Sequence, residues 1–289
     1  MIDLDAATVM IQWATGGLFF LWVTTRRREV GLGYGWLQRI TFVTFGVIAL
    51  VVAFFTRWVP VRDVANVAMI AASLAALWVS YQRRSAGVEG QRTVVEKRTA
   101  RVAEMTGIDR DEQRFDKDAP EFPPSLDLLP AVFGLIALVA AGIDAAGGGA
   151  DVPPSLGVAR IVIGAFFLGA VTDAMLLGHW YLVQPGLARG PLNELVRWTA
   201  VLWPLELLVL LLPTGMWSVL NGTIDDGFGG QLGWFWVAST VATIILLFVT
   251  MAALKEKQYS AVMAATGLLY LAILMAFGMD LVARATLRT

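Results

Sequence analysis

The sequence contains no cysteine. That removes disulfides, thiolate-ligated metals, iron–sulfur clusters, thioether-attached haem and thiol nucleophiles together. It contains a single histidine, His179, which excludes a bis-histidine haem or a His-rich metal site built by this chain alone. A His/Met haem would need one of the ten methionines, and nothing in the sequence pairs one with His179. Charge is scarce as well, at 16% of residues against about one-quarter in soluble domains. The net charge of −1 provides no global field for nucleic acid or acidic substrates. There is no Gly-rich phosphate loop, no HExxH and no nucleophile elbow. "GLGYG" at 31–35 lacks the strand–turn–helix setting of a dinucleotide fingerprint. A self-contained haem, iron–sulfur or metal site is therefore not expected. A bound quinone or lipid stays compatible with the composition, and no enzyme class is singled out.

What the chain has is apolar length. It is 57% hydrophobic, with a mean hydropathy of +0.67. A helix needs about 20 apolar residues to cross the hydrocarbon. The pattern predicts an all-α, polytopic membrane bundle of about eight transmembrane helices, over 7–25, 37–56, 62–82, 128–145, 156–183, 193–215, 231–254 and 258–283. The lipid bilayer is the first expected partner, further membrane subunits are a second, and nucleic acid is not expected. Seventeen of the 22 basic residues fall in alternate connections or at the span ends beside them: Arg26 to Arg28 with Arg39, nine in the stretch 83–127, Arg189 with Arg197, and Lys255 with Lys257. By the positive-inside rule this predicts an N-out, C-out chain in a bacterial-type inner (plasma) membrane, with 83–127 cytoplasmic. Asp3 and Asp5 precede the first apolar run and arginines follow it, the pattern of a retained reverse signal-anchor.

The organisation is then three helices in 1–82, an insertion at 83–127, and five helices in 128–289. In the insertion, Val94, Val95, Val102 and Met105 give a weak helical stripe over about 90–106. Its nine basic residues are balanced by ten acids, so it is not a polybasic lipid clamp. It reads as a docking or lid element, or as a solvated tether. Small residues at four-residue spacing, Ala68–Ala72–Ala76 and Ala165–Gly169, predict close helix packing.

Polar residues inside the spans are the candidates for function. In "VTDAMLLGHWYLVQPGLARGPLNELVRW" (171–198), Asp173 lies ~16 Å along the helix from Gln184, near mid-bilayer. Glu206 lies ~22 Å from Pro191 on the next helix, offset from Asp173 by about a turn. A bare charge at that depth costs at least ~2.5–3.5 kcal/mol, so an intramembrane acid is a functional candidate by default. Glu206 follows Pro204, which strips the Ala200 carbonyl of its donor. His179 lies nearer the interface and shares a face with Thr172. Trp180 shares one with Asp173, and Thr199 lies near Glu206. Glu194 and Arg197 are spaced to pair. Arg160 and Asp280 read as snorkelling or capping residues near helix ends, and Gln12 and Asn66 as interhelical hydrogen bonders.

Two functions fit. One is proton- or ion-coupled transport or conduction, with Asp173 and Glu206 as carriers, His179 near the inner mouth, and Thr172, Trp180 and Thr199 lining the site. The other is a structural or quinone- or lipid-contacting subunit of a larger respiratory or photosynthetic complex.

Overall fold

The computed structural model describes residues 5–107, 115–116, 118–147, 153–184 and 186–287. Among these residues there is no strand. Eight long helices form a membrane bundle: α1 (Ala6–Thr25), α2 (Leu32–Phe55), α3 (Pro60–Gln82), α5 (Leu128–Gly147), α6 (Pro154–Trp180), α7 (Gly190–Leu211), α9 (Gln231–Ala253) and α10 (Tyr259–Leu287). Two more, α4 (Glu89–Thr106) and the six-residue α8 (Gly215–Leu220), lie in the connections. Seven of the long helices are long and apolar enough to cross a membrane. The remaining one, the 22-residue α7, carries Glu194, Arg197 and Glu206 and packs with the others in the bundle.

The helix starts follow local chemistry. Asp5 caps α1, accepting from the Thr8 amide at 3.2 Å and the Thr8 hydroxyl at 2.8 Å. Prolines open α3, α6 and α7, where the missing N–H is no loss. The core lies on two helices. About 72% of the apolar window of α1 and 78% of that of α6 is buried, against 33% for α2, α3 and α9. α1 packs on α2, α5 and α6, while α6 also meets α7 and α10. Glycine lets the central pair touch backbone to backbone. A Cβ added at Gly16 would lie 1.8 Å from the Ala165 carbonyl, and one at Gly169 2.1 Å from Gly16. On α3 the buried stripe is Asn66, Met69, Ser73, Ala76 and Ser80; Ala68 and Ala72 are only half-buried. The outer face shows its large apolar side chains, with Phe54 and Phe55 almost fully exposed, as lipid contact requires.

The basic connections meet at one end of the bundle, called the basic end below. Gln184 accepts from the Gly31 amide at 2.9 Å and donates to the Glu29 carbonyl at 3.1 Å. Arg189 reaches the carbonyls of Lys257 and Gln258, both at 2.8 Å. Glu194 pairs with Arg26 and Arg27 (2.5 and 2.6 Å) and not with Arg197, which is exposed. The helix-spacing expectation fails here because two arginines on a neighbouring turn come closer. Beside Arg189, the Tyr181 hydroxyl donates to the Ala188 carbonyl at 2.7 Å; burial first and Glu29 second push it above the ordinary tyrosine range.

The insertion is anchored at its two ends. The Gly90 amide donates to the Arg28 carbonyl at 2.9 Å, and Arg83 donates to the Glu121 carbonyl at 2.8 Å. Arg92 pairs with Glu121 itself. α4 buries no residue, so Val94 and Val102 are only half covered and Met105 is exposed. Asp109, Asp111, Glu112 and Lys117 of the insertion lie outside the described residues.

Candidate functional site

Three buried acids of the bundle are each held by a buried arginine, and the candidate site is where that pairing is missing. Arg39, Arg62, Arg160 and Arg284 are the largest fully buried side chains. Three of them hold a buried aspartate. Arg39 clamps Asp127 through Nε (2.8 Å) and Nη2 (2.9 Å), bridging α2 to the turn before α5. Arg62 holds its neighbour Asp63 at 2.8 Å and reaches Asp5 at 2.5 Å. Arg284 holds Asp280, one turn back on α10, at 2.9 Å. Each pairing removes a net charge from the low-dielectric interior.

Away from the basic end, the third pair grows into a cluster. Asp280 also accepts from Gln12 Nε2 of α1 at 3.1 Å. Arg284 donates to the Arg160 carbonyl at 3.2 Å, and Arg160 donates to the Val209 (3.0 Å) and Leu212 (2.6 Å) carbonyls at the end of α7. Glu206 projects from α7 into this group, its carboxyl facing that of Asp280 with Arg284 and Arg160 in electrostatic reach. It is fully buried, and neither of its oxygens receives an N–H or O–H among the described residues. Gln12 Oε1 and Arg284 Nη1 are also without partners there. Gly164 makes the room. A Cβ at that position would sit 2.5 Å from Gln12 Nε2 and 2.6 Å from Asp280 Oδ1. Arg160 and Asp280 are thus centres of a buried network, not snorkelling residues, because α10 runs on to Leu287 and keeps Asp280 well inside the bundle.

Asp173 lies elsewhere. α6 ends at Trp180, so Asp173 is ~11 Å from the basic end of the helix, and Arg160 is ~20 Å further along it. Glu206, five residues before the far end of α7, sits with Arg160. The two acids are separated by more than a turn and occupy opposite halves of the bundle. The sequence estimate brought them closer because it ran α6 to Gln184. Asp173 is fully buried, and neither carboxyl oxygen has a partner among the described residues. Its backbone carbonyl accepts from the Tyr34 hydroxyl at 3.3 Å, and that hydroxyl accepts from Gln38 Nε2 at 2.6 Å. Thr24 of α1 sits beside the same hydroxyl.

The other candidates divide between these places. The Thr172 hydroxyl accepts from Trp13 Nε1 at 2.8 Å, and donates to the Leu168 carbonyl at 2.6 Å. The Thr199 hydroxyl is spent on the Leu195 carbonyl at 2.9 Å. Trp180 packs edge-on against Tyr34 and donates to Gln184 at 3.2 Å. His179 is exposed on the outer face, its ring 6.1 Å from that of Tyr270. Gln12 and Asn66 do bridge helices, Asn66 donating to the Gly46 carbonyl at 2.9 Å. Tyr34, Gln38, Asp280 and Arg284 escaped the sequence reading as site residues. The local signals were the four-residue spacings of Asp280 with Arg284 and of Tyr34 with Gln38. No protein-family model matches the chain, and no match is found among curated proteins or solved structures.

Proposed function

We propose that this protein carries or conducts protons or small cations across a membrane, using its buried acids as exchangeable sites. One observation carries the reading. Glu206 is fully buried, faces a second carboxyl, and has no donor of its own among the described residues. A carboxyl in that position is satisfied by a proton or cation bound between it and Asp280, and a group whose partner must come and go is what a coupled carrier requires. Asp173 supplies a second acid in the other half of the bundle. The basic end faces the cytoplasm on this reading, by the positive-inside rule, and the membrane is a bacterial-type inner membrane. His179 then stands at the rim of that end, outside the pathway proper.

The test is flux in proteoliposomes carrying a pH-sensitive dye, driven by imposed pH and sodium gradients. Wild-type protein moves protons or sodium, and Glu206→Gln abolishes the movement while the protein still reconstitutes. Unchanged flux in Glu206→Gln and Asp173→Asn overturns the reading.

A further inference from the structure

We propose that Asp173 is a proton-binding site, loaded from the basic end through the hydroxyl of Tyr34. The inference deepens the function proposed above and rests on it for its purpose, though the site itself can be tested without any flux. The first observation is the missing counter-charge. Arg39, Arg62 and Arg284 neutralise Asp127, Asp63 and Asp280, yet among the described residues no Lys or Arg pairs with Asp173, and neither of its carboxyl oxygens has a partner. Tyr34 of α2 is a titratable group close enough to feel its carboxyl. An uncompensated carboxylate here would be prohibitively costly, so a positive species accompanies it.

Packing selects which species. Asp173 is one turn from Gly169, where α6 and α1 touch backbone to backbone and even a methyl group has no room. An alkali cation needs a shell of oxygens and the volume to hold it. A proton needs neither.

The route follows from hydrogen-bond direction. Gln38 Nε2 donates to the Tyr34 hydroxyl, so the hydroxyl proton points away, to the main-chain carbonyl of Asp173 at 3.3 Å, from which it must turn to reach the carboxyl of the same residue. On the other side, a cavity at the basic end is bordered by Thr25, Gly35 and Arg39, the chain neighbours of Thr24, Tyr34 and Gln38. In the transfer, the Tyr34 O–H turns from the main-chain carbonyl to the carboxylate of Asp173, and the O–H bond breaks as its proton joins a carboxylate oxygen. The phenol oxygen takes a proton from hydronium on the aqueous side in the same motion. Tyr34 ends neutral, Asp173 ends as the acid, and water is the by-product.

The experiment is infrared spectroscopy of the full chain in detergent, following protonated-carboxyl C=O bands at neutral pH and their shift on transfer to D2O. Asp173→Asn should remove one such band, and Asp173→Glu should move it, which guards against loss through misfolding. Tyr34→Phe should keep the band and slow its deuteration by about a hundredfold. Sodium should leave it unchanged. The proposal is overturned if Asp173→Asn removes no band, if sodium abolishes the band, or if Tyr34→Phe exchanges as fast as wild type. A silent flux assay with these infrared results would remove the transport reading and leave the proton site standing. Glu206-dependent flux with no Asp173 band would do the reverse.

Discussion

Arg284 Nε donates to both carboxylate oxygens of Asp280, at 3.1 and 2.9 Å, one turn apart on α10. The pair is almost fully enclosed. It is the fixed point against which Glu206 is set, and removing one half should be far worse than removing both. Asp280→Leu leaves a buried guanidinium without its partner and should lose about 3 kcal/mol or more. The double variant Asp280→Leu with Arg284→Met should recover most of that loss. Thermal unfolding of the four proteins in one detergent gives the cycle, and additive losses would mean the pair is not coupled.

Gly164 and Gly267 should respond to alanine with opposite signs. At Gly164 the new methyl meets Gln12, Asp280 and Arg284 within 3 Å, so overpacking should cost about 1–3 kcal/mol. At the exposed Gly267 of α10 nothing lies within 4 Å, and Gly267→Ala should gain up to about 1 kcal/mol of helix propensity. The same unfolding assay reads both.

Arg39 and Asp127 tie the 83–127 insertion to the bundle, and Phe122 lies 4.6 Å under the Arg39 guanidinium. Asp127→Ala should free the segment around Phe122 as well as destabilise the bundle by about 3 kcal/mol. Limited trypsin digestion should cut within the insertion faster in the variant than in wild type. Equal rates would show that the anchor at Gly90 and Arg83 suffices.

Asp226 gives a pH signature outside the membrane. Its carboxylate accepts from the amides of Gly230 and Phe228 on Oδ1 and of Leu232 on Oδ2, all at 2.9 Å. Those backbone donors, Gly230 first, hold it below the usual carboxylate range. A depressed folded value means the contribution is complete above the unfolded value near about 4 and fades only as pH falls through the lower folded one. Trp234 fluorescence, reporting the start of α9, should therefore stay flat to about pH 4 and change below it. In Asp226→Asn the change should vanish, and an unaltered titration would assign it to another acid.

Much of this was legible in the sequence, and the limit has a physical cause. Apolar run length is a one-dimensional property, so α1, α3 and α9 begin and end within two residues of their predicted bounds. Asp173 and Glu206 stood out for the same reason, as charges where a run should have none. The Glu206 network did not. Its members come from α1, α6, α7 and α10, and only folding gathers Gln12, Asp280 and Arg284 around Gly164. Asp280 looked like a helix-end residue because the apolar pattern stops before α10 does.

The Arg39–Asp127 pair also constrains how the chain is made. Arg62 has Asp63 beside it and Arg284 has Asp280 one turn earlier, so each leaves the ribosome with its neutralising partner at hand. Arg39 does not, since Asp127 follows 88 residues later. At about 5–20 residues per second, that is a wait of roughly 4–18 s. During it, α2 holds a solitary guanidinium that the bilayer interior rejects. The N-terminal hairpin should therefore stay shallow, or in the care of the insertion machinery, until α5 begins to emerge.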